Sequence, residues 1–152
     1  MELNAFVFTR KFDKITNKII TDIVLRNNNA KMIGKGLWDT GADFSCISKK
    51  VATELNLIPT GFINILTPSG STVKPKYTIT IDLPEYVTFE TMEVCESEIG
   101  NQGIEMLIGM DVISKGNFSI SNFEDKTVFS YAFPSFKHID FTDNTHDLTV
   151  TV

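Results

Sequence analysis

The chain has 152 residues, of which 42% are hydrophobic and 22% charged, values typical of one soluble globular domain with its own core. Its formal net charge of -5 at pH 7 argues against a nucleic-acid partner, because phosphate binding requires a basic surface. No apolar run approaches the roughly 20 residues of a membrane span. We therefore expect no membrane partner, no signal peptide and a cytoplasmic location.

The first part of the chain predicts three β-strands. Alternating phenylalanines predict the first strand within residues 4–12, and the apolar run 19–25 predicts the second. Residues 32–38 predict a third strand, which runs directly into Asp39.

A short helix and a β-hairpin follow. Residues 49–57 place apolar side chains on one helical face, and Ser48 stands at the N-cap position. Residues 62–81 predict two strands joined by a turn at 67–71, where proline and glycine are close together. Pro75 lacks an amide proton, so we expect its arm of the hairpin to pair at an edge.

The second half of the chain predicts more short strands, and residues 110–115 predict one or two helical turns. These strands are expected at residues 79–83, 87–94, 104–109, 118–120 and 127–133. The pattern favours a mainly β barrel or sandwich with one or two short helices. We assign residues 1–137 to a single domain with an N-terminal strand extension at 1–18. Residues 138–152 are a polar tail, either a terminal strand or disordered.

One motif in this framework carries chemistry. Asp39 follows a buried strand and is followed by Thr40, Gly41 and Ala42. Gly41 allows a sharp turn, and the Thr40 hydroxyl is available to fix the loop by hydrogen bonding. The simpler alternative is an ordinary turn that begins at an aspartate.

The Asp39–Ala42 motif and a second motif, Leu107-Ile108-Gly109, together resemble the retropepsin-like aspartic proteases. The resemblance covers roughly residues 20–122. It implies a mainly β, retropepsin-like closed β-barrel, the acid-protease fold. It also implies an aspartic endopeptidase that needs no cofactor.

The resemblance implies a role for each matching residue. Asp39 corresponds to the catalytic aspartate, Thr40 to the threonine that ties two active-site loops together across a dimer axis, and Gly41 to a supporting loop position. The implied substrate-binding residues are Ala42, Asp43, Pro68, Ser69 and Gly70, with Leu107, Ile108 and Gly109 packed beneath the loop. For Asp43, solvation or stabilisation of the loop is the alternative.

Hydrolysis by carboxylates requires two of them, which share a proton and hold a water. The sequence contains a single Asp-(Thr/Ser)-Gly, at Asp39. We therefore expect a homodimer that places Asp39 and its symmetry mate together and that cuts an extended peptide with an acid pH optimum.

Three features depart from the family pattern. Trp38 stands where a smaller aliphatic residue is usual, and the expected flap tip has one glycine, Gly70. Met110 and Asp111 replace an Arg-Asn pair that makes a dimer contact in the retroviral enzymes. These departures leave two alternatives open. The first is a catalytically silent peptide-binding module. The second is a regulatory subunit or zymogen whose termini cover the cleft.

The remaining reactive residues predict no other chemistry. Cys46 and Cys95 are expected to be free thiols, and Cys46 is interpreted as a small strand-packing residue. A cysteine nucleophile needs a base, and both histidines, His138 and His146, lie in the tail. No metal-ligand spacing is present. Glu105 and Asp111 are expected to be exposed charges.

Overall fold

The computed structural model describes residues 4–144. Ten strands and two short α-helices make up this part of the chain, with 3-10 turns at Gly100–Gln102 and Phe141–Asn144. The strands are β1 Phe6–Lys11, β2 Ile19–Asn27, β3 Ala30–Trp38, β4 Cys46–Ser48, β5 Gly61–Thr67, β6 Gly70–Asp82, β7 Thr88–Ser97, β8 Met106–Ile108, β9 Asn117–Phe123 and β10 Lys126–Phe133. The helices are α1 Lys49–Glu54 and α2 Met110–Ile113.

Six strands form a closed barrel in the order β2-β3-β8-β4-β7-β6. Pairing between β2 and β6 closes it, with Val24 opposite Asp82 and Arg26 opposite Thr80. Closure removes the exposed sheet edges that an open sheet of this size would present. The predicted mainly β barrel with two short helices is therefore confirmed.

The strand order inside the barrel explains how an active-site loop is held. β8 pairs in parallel with β3 and antiparallel with β4, so it lies between these two strands. The chain that leaves β3 at Trp38 must cross the end of β8 before it returns at Cys46 as β4. Residues 39–45 consequently form a loop directly over Gly109, the first residue after β8.

A second sheet of three strands, in the order β1-β10-β9, packs on the barrel through aromatic side chains. The Trp38 ring lies 4.9 Å from the rings of both Phe129 and Tyr131, and 6.0 Å from that of Phe8. Inside this cluster, Trp38 Nε1 donates a 3.0 Å hydrogen bond to the buried Thr21 hydroxyl. The N-terminal extension and the last strands thus accommodate the unusual tryptophan.

The local expectations hold, with two adjustments. The Ser48 side chain caps α1 by accepting a hydrogen bond from the Val51 amide at 3.4 Å. Pro75 pairs only with β5, and pairing of β6 with β7 begins at Lys76. However, the separate strand expected at residues 79–83 is the end of the long strand β6, and the strand expected at residues 87–94 continues to Ser97 as β7.

Among residues 4–144, no helix is long and apolar enough to cross a membrane. In the tail, residues 141–144 form a 3-10 turn. Residues 145–152, which include His146, lie outside the described residues, so the prediction for this part of the tail stays a prediction.

Candidate active site

Asp39 stands at the point where β3 ends and the loop over Gly109 begins. Its amide donates a 2.9 Å hydrogen bond to the carbonyl of Ile108, so the loop starts as a continuation of the β3–β8 pairing. The carboxylate is fixed as well, because its Oδ1 accepts the Gly41 amide at 2.9 Å. The position of Asp39 is therefore set both by the sheet and by its own loop.

The hydrogen bond from Gly41 to Oδ1 is the side-chain turn that aspartate commonly initiates, and the Ala42 amide closes the turn onto the Asp39 carbonyl at 3.2 Å. The Asp39 loop therefore has the local geometry of an ordinary turn that begins at an aspartate, the simpler alternative drawn from the sequence. This turn uses one carboxylate oxygen, and Oδ2 accepts no hydrogen bond from residues 4–144. A β-carbon on Gly41 would lie 3.2 Å from Oδ1, a tight contact that would require the Asp39 side chain to shift.

The glycine after β8 allows the loop to approach closely. A β-carbon on Gly109 would lie 2.8 Å from the Ala42 carbonyl oxygen and 2.8 Å from the carbonyl carbon of Phe44. The next amide, that of Met110, donates to the same Ala42 carbonyl at 2.8 Å. Of the three residues expected beneath the loop, Ile108 and Gly109 are buried and Leu107 is half-buried.

Asp111 anchors the far end of the loop. Its Oδ1 accepts the Ser45 hydroxyl at 2.7 Å, and its Oδ2 accepts the Ser45 amide at 3.0 Å. The buried Ser45 hydroxyl in turn accepts the Gly109 amide at 3.0 Å. The expectation that Asp111 is an exposed charge is therefore wrong. Asp111 lies in the first turn of α2, where its carboxylate also accepts the Val112 amide at 3.0 Å.

The expectation for Glu105 is also wrong. Its carboxylate accepts the backbone amide of Lys35 at 2.7 Å, and its side chain lies against Gly34. Glu105 therefore fixes the residue before β8 against β3. Neither carboxylate could be assigned this role from a local pattern, because their partners are distant along the chain.

The three-stranded sheet also supports α2, the helix that follows Gly109. The buried Tyr131 hydroxyl donates a 2.8 Å hydrogen bond to the Val112 carbonyl in α2. Burial raises the pKa of Tyr131, so it stays a donor at all physiological pH values. Since Trp38 packs on the same tyrosine, one aromatic cluster supports both the residue before Asp39 and the helix after Gly109.

The other predicted site residues fall into two groups. Thr40 and Asp43 are exposed on the loop, and Ala42 is half-buried. Pro68, Ser69 and Gly70 lie at the turn of the β5–β6 hairpin, as predicted for a flap, and Gly70 has a φ of 128° that favours glycine.

A groove of about 430 Å³ runs between the hairpin and the end of β7. On the hairpin it is lined by Ile65, Ser69 and Lys74, and on β7 by Glu96 and Ser97. This groove does not include Asp39.

The two cysteines, expected to be free, are unbonded and lie side by side. Cys46 in β4 is paired in register with Cys95 in the parallel neighbour β7, and their Sγ atoms are 3.1 Å apart. Within residues 4–144, no three His, Cys, Asp or Glu side chains are grouped so as to hold a metal ion.

The sequence matches no protein-family model and no curated protein. Among solved structures, the chain is similar to a retropepsin-like aspartic protease from Rickettsia conorii, with a TM-score of 0.56 and 19% identity over 88% of this chain and 98% of that one. It is also similar to a simian foamy virus protease, with a TM-score of 0.42 and 20% identity over 62% of this chain and 92% of that one. Taken with the barrel and its crossing loop, the first similarity shows that this chain has the retropepsin-like fold.

Proposed function

We propose that the protein is an aspartic endopeptidase that acts as a homodimer, with Asp39 of each chain contributing one carboxylate. The observation that carries this proposal is the geometry of Asp39. Its backbone is fixed by Ile108, and one carboxylate oxygen is fixed by Gly41. The other oxygen accepts no hydrogen bond within residues 4–144, and this is the oxygen available to a water or to a partner.

The dimer is proposed because one chain holds half of the chemistry. In the described part of the chain, the Asp-Thr-Gly loop occurs once, and its surface is exposed. Thr40 is exposed and makes no side-chain hydrogen bond with the described residues, and Phe44 in the same loop is 60% exposed. A hydroxyl and an aromatic ring in the same exposed loop suit a contact between two copies around a two-fold axis.

In the proposed mechanism, the two Asp39 carboxyl groups share one proton. Two carboxylates about 3 Å apart cannot both ionise, so one acts as general base toward a bound water while the other, protonated, polarises the scissile carbonyl. Hydrolysis then needs no metal and no covalent intermediate. The proton moves from the water to the ionised carboxylate, and the protonated carboxyl hydrogen-bonds the developing oxyanion.

The proposed substrate is an extended peptide. Pairing of its main chain with loop residues Ala42 and Asp43 on one side and with the hairpin turn at Pro68, Ser69 and Gly70 on the other would hold it as an added strand. Closure of the hairpin over the peptide would exclude water from the site. A cytoplasmic location stays a prediction from the sequence.

A catalytically silent peptide-binding module is the second candidate. The flap tip favours it, because Gly70 is the one glycine in a turn that otherwise contains Pro68 and Ser69. This composition predicts a stiffer hairpin than a glycine-rich flap. Such a module would bind peptide without cleaving it, and pepstatin-like inhibitors would not compete through a carboxylate pair.

The test measures peptide-library cleavage and sedimentation velocity on the wild type and on Asp39→Asn. The substitution keeps the size of the side chain and removes its ionisable group. We expect cleavage to fall by at least about a thousandfold, since the general base is lost, with the dimer retained. Asp125→Asn is the matched control, because Asp125 is exposed in the β9–β10 turn and its φ of 59° suits asparagine.

Three outcomes separate the candidates. Cleavage by a wild-type dimer that Asp39→Asn abolishes and Asp125→Asn preserves supports the endopeptidase. Equal cleavage by Asp39→Asn refutes the proposed mechanism. Peptide binding without cleavage, at every protein concentration and across acid to neutral pH, supports the silent module.

A further inference from the structure

We propose that Cys46 and Cys95 form a reversible oxidation site, at which a disulfide links β4 to β7 when the protein meets a peroxide. The inference does not depend on proteolysis, because it concerns the packing of two neighbouring strands. It assigns a role to two residues that the proposed mechanism does not use.

The first support is the position of the two residues. They are 49 residues apart in sequence, but the parallel pairing of β4 and β7 places them directly opposite each other. The Cys95 amide also donates to the Ser45 carbonyl at 3.3 Å, which fixes the two backbones beside the thiols. Residues paired directly across adjacent strands fall within the range of separations that a disulfide spans.

The second support is the separation of the sulfurs. Their distance is 3.1 Å, and a disulfide bond is about 2.05 Å long, so the two atoms need to approach by about 1 Å. Small side-chain rotations supply that movement. The site therefore forms a bond between neighbours without unfolding the barrel.

The third support is the combination of access and acidity. Cys46 is half-buried, so a small oxidant can reach it, whereas Cys95 is 6% exposed and is protected from larger reagents. The hydrogen bond between the thiols lowers the pKa of Cys95 and raises that of Cys46. On losing one proton the pair is a monoanion in which both sulfurs compete for the remaining proton.

The reaction with hydrogen peroxide balances as a two-electron oxidation of the dithiol. The lower pKa of Cys95 places the first negative charge there, and transfer of the Cys46 proton across the 3.1 Å contact to Cys95 gives a thiolate on the more accessible Cys46. The Cys46 thiolate attacks one peroxide oxygen, the O–O bond breaks, and the hydroxide formed leaves as water after taking a solvent proton. Cys95 then attacks the sulfenic sulfur of Cys46. The S–O bond breaks, the S–S bond forms, and a second water leaves with the proton of Cys95.

This bond would restrain the strand that follows the Asp39 loop. Cys46 comes directly after Ser45, which is hydrogen-bonded to Asp111 and Gly109. The disulfide would therefore fix β4 to β7 on one side, while Ser45 holds it to the residues after β8 on the other. The closed loop contains α1 and the β5–β6 hairpin. A cross-link over a loop of this length restricts the unfolded chain, so the oxidised protein should be the more stable form.

The test treats fully reduced protein with hydrogen peroxide, then denatures it with iodoacetamide present and measures the intact mass. We expect a loss of about 2 Da, no alkylation of either cysteine, and reversal by dithiothreitol. The melting temperature of the oxidised form should be at least about 5 °C higher than that of the reduced form. Peptide mapping should recover Cys46 and Cys95 in one linked fragment.

Cys46→Ser and Cys95→Ser are the matched controls, and neither should lose 2 Da or show a rise in melting temperature. Cys46→Ser should take one alkyl group, whereas Cys95→Ser lacks the resolving thiol and should carry either one alkyl group or one oxygen on Cys46. The wild-type mass and peptide map decide the question even if a variant fails to fold. In the wild type, oxygen added to a single cysteine, a covalent dimer linked between chains, or two alkylated thiols after peroxide treatment would each overturn the proposal.

Discussion

The Asp111 carboxylate holds Ser45 at two points, by a 2.7 Å hydrogen bond from its hydroxyl and a 3.0 Å hydrogen bond from its amide. These residues belong to two loops, one from β3 to β4 and one from β8 to α2. Because the Ser45 hydroxyl also accepts the Gly109 amide, the three residues form one connected network under the loop of Asp39.

Removing Asp111 should loosen this network. Asp111→Ala leaves the amide and hydroxyl of buried Ser45 without their acceptor, so the free energy of unfolding should fall by about 1–3 kcal/mol. Asp111→Asn keeps one acceptor oxygen and should lose less. Urea unfolding followed by fluorescence of Trp38, the single tryptophan, measures both variants.

A double-mutant cycle with Ser45→Ala isolates the contact. The double variant Ser45→Ala/Asp111→Ala should be more stable than the sum of the two single losses predicts, because both single variants break the hydrogen bond from the Ser45 hydroxyl to Asp111 Oδ1. Strict additivity of the two losses would contradict the network. Cleavage, measured in parallel, should fall more for Asp111→Ala than for Asp111→Asn.

Gly109 should tolerate no side chain. Its backbone is extended, with φ of -91°, so the obstacle to alanine is contact and not conformation. The added carbon would lie 2.8 Å from the backbone of Ala42 and of Phe44, and Gly109→Ala should therefore cost about 1–3 kcal/mol and displace the loop.

Gly61→Ala provides the control for this prediction. A β-carbon there would meet the flexible Lys76 side chain at 3.4 Å, an ordinary contact, so stability should change by less than about 0.5 kcal/mol. Thermal unfolding of the two variants tests the contrast. Equal melting temperatures for Gly109→Ala and the wild type would refute the close approach.

The sequence predicted the local parts of this structure well. The apolar run 19–25 and the segment 32–38 placed β2 and β3 correctly, and proline and glycine predicted the hairpin turn within residues 67–71. These features depend on neighbours along the chain, such as the Ser48 cap of α1. The loop at Asp39 was predictable for the same reason, since its turn is closed by Gly41 and Ala42.

The parts that depend on strand order were not predictable in this way. Asp111 meets Ser45 across 66 residues because β8 lies between β3 and β4, an arrangement that no local pattern encodes. The same holds for the contact between Cys46 and Cys95. The sequence contains both cysteines and Asp111, but only the strand order of the barrel shows which residues they contact.

Trp38 is stabilised in the aromatic cluster by its hydrogen bond to Thr21, and we expect the protein to lose stability when that bond is removed. Trp38→Phe leaves the buried Thr21 hydroxyl without its 3.0 Å donor and opens space in the aromatic cluster, so the free energy of unfolding should fall by about 2–4 kcal/mol. Circular dichroism follows this unfolding, since the variant has no tryptophan.

Thr21→Val is the matched partner for that experiment, because it removes the hydroxyl and keeps the branched shape. The double variant Trp38→Phe/Thr21→Val should recover about 0.5–1.5 kcal/mol relative to the sum of the single losses. No recovery would mean that the hydrogen bond contributes nothing and that ring packing alone accounts for the tryptophan.

The closure of the barrel should depend on pH through Asp82. Asp82 lies in β6 opposite β2 and accepts hydrogen bonds from Arg26 Nη2 at 2.9 Å and from the Thr88 hydroxyl at 2.8 Å. The bonded Arg26 guanidinium, more than the Thr88 bond, lowers the pKa of this carboxyl, and partial burial opposes the shift. The pKa of Asp82 is lower in the folded than in the unfolded protein. The ion pair therefore stabilises the fold fully at pH values above the unfolded pKa of about 3.9.

That stabilisation should be lost as the pH falls through the lower, folded pKa. Asp82→Asn should therefore be less stable than the wild type by about 0.5–1 kcal/mol at neutral pH, a small value because the pair is partly exposed to solvent. The difference should shrink toward zero in acid. Urea unfolding between about pH 3 and about pH 7 measures it, with Asp125→Asn as the control. A difference that stays constant, or that grows as the pH falls, would show that the Arg26–Asp82 pair does not stabilise the closed barrel.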